Sequence, residues 1–157
     1  MKKLIFLIGI FLLFGCKTKK NVIEEKILVE KTVKIVAKNE VDNVLVDKAF
    51  NLGTRLLEAC NTSKFKTFNT DEATESVIQN ITPKKIAATC KKINFRNGKF
   101  ISLDLIEIKQ DEINNQYIFR YGINYEKKFF KRELTIILNP ENKVSSINTN
   151  EIKPKPM

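Results

Sequence analysis

Residues 97–125 read NGKFISLDLIEIKQDEINNQYIFRYGINY, and within them the spacing of apolar side chains changes from a helical repeat to a strand repeat. Asn97-Gly98 turns the chain. Beyond it, Ile101, Leu103 and Leu105 alternate with Ser102 and Asp104, and Tyr117, Phe119, Tyr121, Ile123 and Tyr125 alternate with Arg120 and Asn124. Both runs predict strands. Further on, Phe130, Arg132, Leu134, Ile136 and Leu138 predict a third strand, and Asn139-Pro140-Glu141-Asn142 turns into a fourth around Val144 to Ile147. Connections this short imply an antiparallel meander.

Upstream of Asn97 the spacing is helical. Leu45, Ala49, Leu52, Leu56 and Cys60 step by three or four, with Phe50 and Leu57 beside the same stripe, so a core-facing helix runs from about Val44 to Cys60. Thr70-Asp71-Glu72 offers a cap and first-turn acids for a second helix carrying Ala73, Val77, Ile78 and Ile81. Thr82-Pro83 opens a third, which is expected to reach about Ile93 with Ile86, Cys90 and Ile93 on one face. Helices followed by strands predict an α+β fold in which N-terminal helices pack on one face of a curved four-stranded antiparallel sheet.

This order of elements resembles the nuclear-transport-factor-2-like, or cystatin-like, cone fold. It is similar to small bacterial envelope proteins of the domain-of-unknown-function 3887 group, with an Ala49–Cys60 helix, a Thr82-Pro83-opened helix, an Asn97-Gly98 turn and strands closing on Leu138–Val144. The resemblance covers 44–152 and implies a cone whose sheet and helices enclose a pocket. Tyr117, Phe119, Tyr121 and Tyr125 would then be pocket-lining candidates, with core packing against Phe130 and Leu134 as the alternative use of the same side chains. Arg120 and Arg132, on neighbouring strands, are candidates for an anion-binding spot. Fold analogy of this kind says nothing about activity by itself.

Absences exclude most chemistry. The chain has no histidine, so Ser-His-Asp and Cys-His arrangements and histidine-bearing zinc sites are impossible. No phosphate loop or dinucleotide-binding glycine motif occurs. Asp104 and Glu107 are the natural acid/base pair to consider. A phase shift of the apolar pattern between Leu105 and Ile106 predicts a bulge that keeps Ile101, Leu103, Leu105, Ile106 and Ile108 inward and turns both carboxylates out to solvent. The expectation is therefore a non-enzyme with no cofactor, no metal and no catalytic residue.

The N-terminus supplies an address. Lys2 and Lys3 precede the apolar run Leu4 to Phe14, which is too short to span a bilayer and has the layout of a secretory signal peptide. Leu13-Phe14-Gly15-Cys16 resembles the lipobox of bacterial lipoproteins, in which the signal is cut before a cysteine that has received a diacylglyceryl group. That resemblance implies a signal peptide at 1–15 and lipidation of Cys16. The protein is then expected in the bacterial cell envelope, lipid-anchored in the outer membrane and facing the periplasm. Residues 16–43, dense in Lys and Glu, are expected to be a tether, and 153–157 a loose tail.

With Cys16 assigned to lipid, Cys60 and Cys90 remain as an even pair in an oxidising compartment. They are expected either to form a disulfide or to sit as two buried thiols. The formal charge of +10 would ordinarily raise nucleic acid as a partner. Export argues against it. The partners expected are the membrane, through the anchor, and an envelope protein, a small ligand or a second copy of the chain through the sheet.

Overall fold

The computed structural model describes residues 33–153; the signal-like segment, Cys16 and the lysines after it lie outside the described residues, as do 154–157. Five strands form one antiparallel sheet in the order β1 (Val33–Val36), β2 (Phe100–Asp111), β3 (Gln116–Tyr125), β4 (Arg132–Leu138) and β5 (Val144–Glu151). The expected meander of four strands therefore gains a fifth. Val33–Val36 pairs with the distal end of β2, from Val33 opposite Asp111 to Val36 opposite Ile108. A strand of four residues among Lys and Glu is too short for its period to stand out, yet it covers a stretch of β2 edge that would otherwise be unpaired. This strand lies inside the 16–43 stretch expected to be tether.

The helix α1 (Asn43–Thr62) begins where the Asp42 carboxylate accepts from the Val44 N–H at 2.8 Å. Its stripe of Leu45, Ala49, Leu52, Leu56 and Cys60 is buried as its spacing predicts. Gly53 belongs to the same stripe because α1 lies close on the sheet: a methyl group there would meet Leu134 at 2.7 Å and Ile136 at 3.0 Å. At the helix end the Asn61 amide bonds both main-chain groups of Phe100, donating to its oxygen at 2.8 Å and accepting from its N–H at 2.9 Å. That side chain acts as a one-residue strand partner and fixes where β2 starts.

The second helix, α2 (Glu75–Asn80), starts later than Thr70-Asp71-Glu72 suggests. Asn69 captures those residues in a turn, its side-chain oxygen accepting from the N–H groups of Asp71 and Glu72. Ala73 then bridges to Val144 in parallel rather than entering the helix. The third helix, α3 (Pro83–Asn97), is capped by Thr82 and runs one turn past Ile93, ending at Gly98 with φ +74°.

The core lies between the helices and one face of the sheet. Phe119, Leu134, Ile136, Leu138 and Val144 are wholly buried there. The register slips at Ile101 and again at Ile106. The predicted bulge is present, but both bulged isoleucines turn outward, 62% and 46% exposed, instead of joining the core. A bulge leaves its extra residue unpaired, and here that residue is the apolar one. Phe130, expected inside the third strand of the meander, instead lies in the loop before β4.

Candidate functional site

The tyrosine row packs into the interior of the domain. Phe119 and Tyr121 are buried completely or nearly so, and Tyr125 is 5% exposed. Tyr121 meets Phe50 of α1 edge-on at 6.2 Å between ring centres, and Tyr125 meets Phe100 at 6.4 Å. These rings fill the space between sheet and helices. Burial pushes the phenols of both Tyr121 and Tyr125 above their ordinary range, with Asp47 adding to the effect at Tyr121. Neither hydroxyl has a hydrogen-bond partner among the described residues. Tyr117 stands apart at the other end of β3, where it lines an open hollow of about 440 Å³ together with Lys34, Val36, Glu40 and Gln110.

The two arginines do not converge. Arg120 lies opposite Thr135 on the outer face, and Arg132 lies opposite Ile123 on the core side. Each is paired with carboxylates: Arg120 with Glu107 at 2.8 Å and Glu133 at 3.3 Å, Arg132 with Glu151 at 3.6 Å. An anion would have to displace these partners. Asp104 and Glu107 do turn outward at the Ile106 bulge, and they are occupied there too, Asp104 accepting from the Asn124 amide at 2.7 Å and Glu107 bridging Arg120 and Lys109. Among the described residues no three His, Cys, Asp or Glu side chains come close enough to hold a metal ion.

Cys60 and Cys90 form a disulfide that joins α1 to α3. Asn94, one helical turn after Cys90, donates to the Cys60 carbonyl at 2.7 Å, so a hydrogen bond reinforces the same crossing. Two concavities flank the bridge. One holds about 190 Å³ between Phe65, Pro83 and Ala87; the other holds about 270 Å³ between Leu56, Ile81, Ile86, Ile93 and Ile147. Sites that enclose a drug-sized molecule run from about 300 to 1,000 Å³. These grooves are smaller and would take a side chain or a short apolar group.

A surface feature that sequence reasoning overlooked lies at the opposite end of β3 from Tyr117. The loop Lys127–Lys131 between β3 and β4 carries Phe129 and Phe130 and packs against the end of α3. Phe129 is 85% exposed and Phe95, on α3, is 84% exposed. The signal was visible as Lys127-Lys128-Phe129-Phe130-Lys131-Arg132, a run in which paired aromatics interrupt a line of cations. Its alternation with the following strand disguised it as core.

No protein-family model, no curated protein and no solved structure matches the chain.

Proposed function

We propose that this chain is a lipid-anchored bacterial envelope protein, held through Cys16, whose cone-like domain works by binding a partner and not by catalysis. The Cys60–Cys90 disulfide is the observation that carries the reading. Disulfides persist in oxidising compartments, which is where the signal-like segment at 1–15 would deliver the chain. Three helices on one face of an antiparallel sheet agree with the nuclear-transport-factor-2-like layout. Its interior, however, is occupied by the chain's own tyrosines, which favours surface contacts over a deep ligand pocket.

A second reading has its own observation. Ile101 and Ile106, pushed outward by the bulges of β2, put apolar groups on the outer sheet face, and such a face suits self-association in an envelope assembly. Metabolic labelling with a fatty acid tests the anchor. The protein should take up label, and Cys16→Ser should abolish the uptake; label retained in Cys16→Ser would refute the assignment. Crosslinking in native envelopes separates the two modes of use, because a dimer captures only this chain and a partner-binding module captures another.

A further inference from the structure

We propose that the tip formed by the β3–β4 loop and the end of α3 is a membrane-docking surface that seats on anionic phospholipid. Three features of the tip point to lipid. The first is rigidity: the Lys127 N–H donates to the Asn97 carbonyl at 2.9 Å, the Lys127 ammonium donates to the Phe95 carbonyl at 3.1 Å, and the Asn97 amide donates to the Phe130 carbonyl at 3.2 Å. The Arg96 guanidinium lies over the Phe130 ring at 4.2 Å, and the Ile152 N–H donates to the Lys131 carbonyl at 2.8 Å. The loop is thus fastened to α3 on one side and to the end of β5 on the other.

The second feature is apolar protrusion. Phe129 and Phe95 project from this fastened base with more than four-fifths of their surface in solvent, and Ile152 beside them is 41% exposed. Phenylalanine carries no hydrogen-bonding group, so holding two such rings in water has a cost that only an apolar medium removes. The third feature is charge. Lys99, Lys127, Lys128, Lys131 and Lys153 lie on the segments that these hydrogen bonds tie together at the tip, and all are exposed. The nearby acids are engaged locally, Glu126 with the Lys99 N–H and Glu151 with Arg96 and Arg132.

A tip that carries both exposed cations and projecting aromatic rings complements a surface that is anionic at headgroup depth and apolar beneath it. An acidic polypeptide would satisfy the lysines and leave the two rings without an apolar layer; the bases of a nucleic acid can stack on such rings, so the oligonucleotide arm of the test below separates that occupant from lipid. The tip lies at the far end of the sheet from the start of β1, since Phe100 pairs with Tyr125 there while Val33 pairs with Asp111. The proposal rests on the envelope reading only for the supply of a membrane nearby.

The chain contains no tryptophan, so Phe129→Trp introduces a single reporter at the tip. The exported protein carrying it is mixed with vesicles of phosphatidylcholine, or of phosphatidylcholine with phosphatidylglycerol, with and without bromine on the acyl chains. In the anionic vesicles the emission should shift to the blue and be quenched by bromine. In neutral vesicles, or at 1 M salt where screening shortens to about 3 Å, the shift should disappear. The pair Lys128→Glu and Lys131→Glu should weaken the response about tenfold or more. Ile113→Trp, exposed in the β2–β3 turn at the other end, should stay unquenched.

Protein that floats with anionic vesicles while the reporter at 129 stays unquenched overturns the proposal and leaves the anchor intact. Flotation with anionic vesicles alone, lost in salt and accompanied by quenching, supports docking and removes the anchor. A shift given by an oligonucleotide or an acidic polypeptide but by no vesicle assigns the tip to a soluble polyanion and overturns the proposal.

Discussion

At the scale of single residues, Gly53 decides how close α1 can lie on the sheet. In an exposed helix interior, replacing glycine by alanine gains about 0.8–1 kcal/mol. Here the added methyl would fall 2.7 Å from Leu134 and 3.0 Å from Ile136, so Gly53→Ala should instead lower stability by about 1–3 kcal/mol in urea unfolding. A gain would mean that the helix–sheet gap is not closed. Tyr121 and Tyr125 make a second prediction at this scale. In the unfolded chain their phenols ionise near pH 10.0, while burial keeps them neutral beyond that in the fold. The unfolded state therefore loses protons first, and stability falls as pH rises past 10. Tyr121→Phe should flatten that alkaline limb without loss at neutral pH, because the hydroxyl it removes is buried and unpartnered. These residues were legible in the sequence as apolar-face positions. Their use was not, since alternation reports which face a side chain takes and not whether the opposing helix leaves a cavity there.

Among the elements, those with a long sustained period or a strong cap were readable. The helix stripe from Leu45 to Cys60, the Thr82-Pro83 start and the two long strands around the 111–116 turn all stand where their spacing puts them. The departures have local causes. Asn69 competes for the N–H groups that Thr70-Asp71-Glu72 would have contributed to α2, and Ile101 and Ile106 sit at bulges where facing cannot be counted by twos. The four-residue β1 needs its partner on β2, a long-range fact that no local pattern carries. The main covalent tie at this scale is Cys60–Cys90. Closing a loop of 30 residues constrains the unfolded chain by about 3–4 kcal/mol on the entropy model. The double replacement Cys60→Ala with Cys90→Ala should lower stability by about that amount. It should also increase hydrogen exchange along α3 more than along β3 and β4, because α3 holds few core side chains of its own, chiefly Cys90 and Ile93. Equal loosening of all elements would contradict the view of α3 as a stapled outer layer.

For the molecule as a whole, the features behind the proposed address are local in sequence and those behind its proposed action are not. Lys2 to Cys16 and an even pair of remaining cysteines are patterns whose meaning is local and chemical, and the pairing of Cys60 with Cys90 agrees with them. The pocket suggested by the tyrosine row was a matter of unfilled volume, which depends on how Phe50, Phe100 and the helices pack together. The tip around Phe95 and Phe129 joins two segments over thirty residues apart, so only the fold brings its rings and lysines to one place. On the proposed reading, the anchor, the Cys60–Cys90 disulfide and the basic tip would belong to one object, a small exported domain tied to a membrane and charged to face it. The measurement that tests this most directly is the intact mass of the native protein, taken with and without reduction. The chain should start at Cys16 and carry diacylglyceryl, with Cys60 and Cys90 gaining two protons only on reduction. Met1 retained with an unmodified Cys16 and free thiols at 60 and 90 would contradict it.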